Sequence, residues 1–539
     1  MEAKVRPHPR IRTGSKAVTM RSKYIFLLAA FGRWCTTART LLPVRLGVGD
    51  KPTLPDRSPF GFGAAATGGG VANDNNTYVV DNMIDLRTAL KLEEPRTVYV
   101  KGEILGSQIN ETFSGDCQYY IDSSTVPDYN FTLYIMSLNA TYTDAVKAAV
   151  AANQTFDGRN STEYLELLNH QNGWRQVAQD VQKEWESIDA QGNLTLIGMD
   201  STAYLHGINL VFNSRSNIIM RNIRISSPRD CFPAPETYPS SWNARYDAVS
   251  FVTTTTAWLD GNEFYDSADG PVAPDDFIWG WEVDRYDGLF DVEDGSDNIT
   301  FSHNVVANHH KSLLLGGGEK EGERDLGKMR FTLFGNHFAN SSSRNPLMRF
   351  GTFYIANNVF SNYEDNPPLY SSSNGTTYSP ARWQSQGDAP ENEDDETPYM
   401  PDFEYNLGIY NLSSVLVSGN YFDQTGSYPD DATRIFTFSD LATPDQPASF
   451  CSPPDVSPSD IAQQLSSLAQ PRNALNGEAV NLTTNVFQTF AYYINVKTDS
   501  VDGGLVTDCS KFEGQDMPVT FDTADDVLAY VLENAGQAD

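Results

Sequence analysis

Five stretches decide the fold: WLDGNEFYD (Trp258–Asp266), ITFSHNVVANH (Ile299–His309), FTLFGNHFAN (Phe331–Asn340), FYIANNVFSN (Phe353–Asn362) and VLVSGNYFD (Val415–Asp423). Each runs a short apolar segment into an asparagine, then one or two hydrophobic residues and a polar turn. The asparagines are Asn262, Asn304, Asn336, Asn358 and Asn420, at spacings of 42, 32, 22 and 62 residues. The shortest spacing is a reasonable length for one coil of a parallel β-helix. The excesses of 20, 10 and 40 residues over it are then loops. The last of them, Glu364–Asp402, is full of Pro, Ser, Asn and acids, as a loop should be. Stacked coils bury each apolar face only against their neighbours. An asparagine recurring at one turn can hydrogen-bond up and down such a stack, so these residues read as structural. A β-sandwich can produce similar strand–turn units, but the 22-residue unit and the scarcity of hairpin dipeptides favour the helix.

The rest of the chain fits an all-β reading: a single-stranded right-handed parallel β-helix with a partly helical insertion and long loops. The 539 residues are rich in Asn, Thr, Ser, Tyr and Phe. Asp and Glu number 70 against 38 Lys and Arg, a net charge of -32. That balance argues against a protein that coats nucleic acid or an anionic membrane. It leaves an anionic substrate open, because salt screens fields beyond about 8 Å and a local basic patch or bound cation then governs a cleft.

Around this core, Thr97–Ile104 reads as a strand, and Gly61–Gly70 (GFGAAATGGG) as flexible, with no lysine to make it a phosphate loop. Residues 108–193 form the insertion, with helical periodicity over Asp144–Asn153 and Ser161–Ser187. Thr523–Gly536 reads as an amphipathic helix N-capped by Thr523 and covering one end of the structure. The β-helix domain is expected over 60–539, after a basic extension and signal peptide over 1–38. Tyr24–Phe31 supplies the signal's apolar core, and Met20 is a more natural start than Met1. Glycosylation sequons, several between Asn110 and Asn193, also point to secretion. Beyond Cys35 in the presumed leader, Cys117, Cys231, Cys451 and Cys509 can form two disulfides, with three pairings open.

Taken modulo 22, several charged residues fall at nearly one longitude. The axial order is Asp247, then Asp287 and Asp291, then Lys311, then Arg344, on coils about 4.8 Å apart. Arg349 falls on a neighbouring part of the coil that carries Arg344. Three carboxylates on adjacent coils suit a hard, oxygen-seeking cation such as Ca²⁺. Singly, each Asp reads better as a turn cap, and Lys311 and Arg344 as ion-pair partners. His309 and His310 are adjacent strand residues facing opposite sides, so they do not form a joint ligand pair.

Tyr246–Tyr363 resembles the pectate lyase family, the polysaccharide lyases built on a right-handed parallel β-helix. The resemblance rests on YDAVSFV with WLDGNEFYD, on YDGLFDVEDGSDNITFSHNVVANHHKSLLLG, and on RNPLMRFG, which resembles an RxPxxR motif. DCFPAPETYPSSWNARYDA, GFGAAATGGG and VLENAG also resemble segments of family members. It implies that Asp247, Asp287 and Asp291 bind calcium, that Lys311 and Arg349 hold substrate carboxylates, and that Arg344 is the catalytic base. Gly261 stands where a His is usual, His310 where an Asp is usual, and Arg245 where some relatives carry an acid. The implied activity is cleavage of α-1,4-polygalacturonate of plant cell walls by β-elimination, in a secreted monomer with no nucleic-acid or membrane partner. The rival readings are a pectin lyase, a polygalacturonase and a noncatalytic carbohydrate-binding β-helix. The acidic trio argues against the first, Lys311 and Arg344 against the second, and the full residue set against the third.

Overall fold

In a computed structural model, the chain is described over residues 51–266, 281–370, 403–439 and 471–496, most of 504–538, and short pieces around 42–46, 277–278 and 447–452. The expected signal segment, Cys35 and most of the Glu364–Asp402 loop lie outside the described residues.

Among the described residues, three long sheets of eleven, ten and eight strands make a parallel β-helix. Pairing is parallel throughout, apart from the last pair of the second sheet. The asparagine ladder sets the register at the corner between the first two sheets. The amide N–H of Asn262 donates to Oδ1 of Asn304, Asn304 to Asn336, Asn336 to Asn358 and Asn358 to Asn420, at 2.9–3.0 Å. A sixth rung, Asn473, accepts from Asn420 at 2.9 Å. All six are fully buried. Inside the coils, like residues stack on like: the rings of Phe338, Phe360 and Phe422 lie 5.0 Å apart in succession and nearly parallel. Each coil thus finds its apolar partners on the next, the packing a repeat needs.

Three expectations are corrected. Thr97–Ile104 is two strands in two sheets, Arg96–Val100 and Glu103–Leu105, because Gly102 turns the chain at φ +67°. Gly61–Ala65 is a 3₁₀ turn seated on the first sheet. Gly63 N–H donates to Thr300 Oγ1 at 2.9 Å, and a Cβ there would lie 2.3 Å from the Ala257 carbonyl oxygen. The C-terminal helix Ala524–Asn534 has its Thr523 cap, with a capping box to Asp526. It packs Val527 and Val531 against Val359 and Tyr421 on the second sheet's outer face, not over an end. One end is covered instead by the helix Met83–Leu90, whose Met83, Leu86, Ala89 and Leu90 join the core.

The insertion holds four helices, Cys117–Ser123, Phe131–Leu138, Ala140–Ala151 and the long Ser161–Glu186. It returns to the β-helix at the strand Ser187–Asp189, earlier than expected. The disulfide Cys117–Cys231 ties it to the segment leading into the site, and Cys451–Cys509 closes a second pair.

Candidate active site

Of the predicted residues, Asp291 lies in the eight-stranded sheet, Asp247, Asp287 and Arg344 stand just before its strands, and Lys311 ends the ten-stranded sheet's strand Val305–Lys311, opposite Ser343. The register of the eight-stranded sheet pairs Ser250 with Asp291, Asp291 with Leu314 and Leu314 with Leu347. Three residues before these partners stand Asp247, Gly288, Lys311 and Arg344, with Asp287 beside Gly288. The backbone confirms the step: Ala248 N–H donates to Gly288 O, Leu289 to Ser312 O, and Leu313 to Arg344 O. The longitude inferred from the 22-residue period is therefore real, and Arg344 follows Lys311 by one coil. Phe290 and Val292 lie in the core, so alternation turns Asp291 outward.

The acids crowd one another. Asp247 accepts from Ser250 Oγ at 2.6 Å and from Gly288 N–H at 3.1 Å. Burial, then the charge of Asp287, pushes its carboxyl up to about 8. Burial and the charges of Asp247 and Asp287 raise Asp291 well above the carboxylate range. Asp291 Oδ1 is buried with no hydrogen-bond partner. Among the described residues, no three His, Cys, Asp or Glu side chains are drawn into a ready-made metal cluster. The donor set nonetheless has the character a hard cation needs: repelling carboxylates and an oxygen left without a donor.

Lys311 and Arg344 sit beside them, and Arg349 stands apart. Lys311 Nζ donates to Asn243 Oδ1 and pairs with Asp284 Oδ2, both at 2.6 Å. Burial alone would raise Asp284, but Lys311 and then His310 outweigh it and hold it well below its usual value. His310 lies 3.2 Å from Asp284 and 3.7 Å from Glu404. Burial opposes its charge, yet these acids push it up to about 10. His309 turns away to Asp266 at 2.8 Å. Arg344 occupies a corner at φ +58°, a left-handed position rare for a side-chain-bearing residue. Burial opposes its charge, but Tyr405, Asp291 and Asp287 raise its pKa above the ordinary arginine value. Arg349 donates to Gly316 O at 2.8 Å and lies over the Tyr410 ring at 4.9 Å.

Sequence reasoning missed Asn243, Asp284 and Glu404, the groups that hold Lys311 and His310. Asn243 stands on the hairpin Ala234–Asn243, Asp284 beyond a second short hairpin, and Glu404 after the long loop. None belongs to the periodic part of the coil, so spacing carried no signal for them.

Stacked acids followed by basic residues thus lie along one side of a parallel β-helix. The pectate lyase family model matches residues 169–469, more than half of the chain, and the chain belongs to that family. It is 34% identical over 203 residues to pectate lyase D of Dickeya chrysanthemi, covering 37% of this chain and 51% of that one. It is 28% identical over 315 residues to a pectate lyase of Bacillus subtilis, covering 57% and 69%. The chain thus spans about half the length of the first of these relatives. A solved pectate lyase bound to a hexasaccharide shares the fold, with a TM-score of 0.63 at 21% identity over 91% of this chain and 99% of that one.

Proposed function

We propose that the chain is a calcium-dependent pectate lyase that cleaves α-1,4-polygalacturonate by β-elimination to 4,5-unsaturated oligogalacturonates. The carrying observation is the single row of Asp247, Asp287 with Gly288, Lys311 and Arg344 on successive coils. Removing the C5 proton builds negative charge next to a carboxylate, so a catalyst must place positive charge there. Asp247, Asp287 and Asp291 are the residues that would hold Ca²⁺. Bound there, it would supply electrostatic stabilisation of that charge. Lys311 and Arg349 orient substrate carboxylates, and Lys311 exchanges part of its pairing with Asp284 for them. Arg344, in its neutral form, takes the C5 proton as the C4–O4 bond breaks, and the departing oxygen takes a proton from water. Asp291 and Asp287, which with Tyr405 keep Arg344 charged, are also assigned to the cation, so neutralising them would weaken that hold.

The domain from about residue 60 is read as one catalytic unit behind a leader over 1–38. The two disulfides support an oxidising, extracellular destination. The protein is read as a monomer acting on plant cell-wall pectin.

Arg344→Lys tests the assignment. It keeps the charge and loses the planar guanidinium. Turnover on polygalacturonate should fall by orders of magnitude with little change in substrate affinity, since only a transition-state interaction is lost. A near-normal kcat with a raised KM would make Arg344 a substrate anchor and remove it as the base.

A further inference from the structure

The outward row of the eight-stranded sheet does not stop at the acids. Register carries it from Asp291 to Ser250, then to Val211 and to Asp189. Leu210 and Phe212 are in the core, so Val211 faces outward like Asp291. Asp189 therefore lies three coil steps from Asp291, about 14 Å along the axis. At that end of the row is a cavity of about 900 Å³.

Three parts of the chain build it. Val211 and Asp189 belong to the sheet, Arg87 and Lys91 to the end-covering helix and its C-terminus, and Lys183 to the long insertion helix. With Arg215 and Arg245, the lining holds five cations against three acids, in a chain whose net charge is -32. At about 14 Å the groove acids are screened in physiological salt, so the potential here is set locally.

The acids are already engaged or outnumbered. Arg245 pairs with Asp180 at 2.7 Å, and Arg215 lies 3.5 Å from Asp189. Arg87 donates to the carbonyls of Ser187 and Trp185, fixing the end of the insertion helix. Lys91 and Lys183 are exposed and make no hydrogen bond or ion pair through their ammonium groups with the described residues. Two such ammonium groups, from separate elements, converge on one cavity in line with the catalytic row.

We propose that this cavity is a second anionic-sugar site, which receives uronate carboxylates of the same polymer several sugars away from the acids and makes the protein select long chains. The inference rests on the polyuronate reading of the groove.

The test measures binding of nonagalacturonate to the full-length protein by calorimetry in EDTA, which stops calcium-dependent turnover and leaves both lysines untouched. Lys91→Gln/Lys183→Gln is expected to bind about tenfold more weakly, with a shallower salt dependence, as loss of two exposed ion pairs implies. Lys91→Arg/Lys183→Arg is expected to bind like the unmodified protein. Matching thermal melts of all three forms establish that the fold is intact. Equal affinity of the Gln variant and the unmodified protein overturns the proposal, as does no measurable binding by the unmodified protein. Unsaturated product from polygalacturonate with calcium is scored separately. Turnover without a lysine effect sinks the cavity alone. A lysine effect without turnover sinks the lyase reading alone.

Discussion

Asn336→Ala strikes the middle of the ladder. Asn336 Oδ1 accepts from the Asn304 N–H at 2.9 Å and from its Nδ2 at 3.2 Å. Asn336 Nδ2 donates to the Phe301 carbonyl and to Asn358 Oδ1, both at 2.9 Å. The side chain is fully buried, so no water takes its place. Truncation strands at least the Asn304 N–H and weakens the satisfaction of the Phe301 carbonyl. At about 1–3 kcal/mol for each buried group left unpaired, the loss is about 2–5 kcal/mol. That is a large share of a total stability of about 5–15 kcal/mol. Urea unfolding followed by tryptophan fluorescence reads it as a lower midpoint. Gln118→Ala, on the exposed face of an insertion helix, is the control and should stay within about 0.5 kcal/mol. If Asn336→Ala also stays within that range, the ladder is not a stabilising element.

Two further outcomes follow from the insertion. Cys117→Ser/Cys231→Ser opens a link across 114 residues and should cost about 2–5 kcal/mol, read as a lower unfolding midpoint. Burial pushes Glu186 up to about 7, from 4.5 ordinarily, even though Tyr120 and Gln182 donate to it. The folded chain keeps that proton where the unfolded chain has lost it. Stability from this group is therefore full below about pH 4.5 and falls as pH rises toward 7. Melting temperatures across pH 4–8 should show this slope, and Glu186→Gln should flatten it.

The repeat was legible because one buried amide must pair at the same corner of each coil, which forces asparagine at a fixed phase. The rung at Asn473 was not, because no apolar run stands directly before it in the sequence. Asp247, Lys311 and Arg344 were legible as a row for the same reason: a fixed coil length converts sequence phase into longitude. The partners of Lys311 were not. Asn243 and Asp284 reach Lys311, and Glu404 reaches His310, from hairpins and a long loop whose lengths carry no phase.

The central claim is a calcium-dependent elimination at the row of acids and cations. The direct measurement is ultraviolet absorbance of polygalacturonate incubated with the protein, with calcium and with EDTA. The account predicts a rising absorbance from 4,5-unsaturated product with calcium and its loss in EDTA. Full activity in EDTA, or chain cleavage with no unsaturated product, would contradict it.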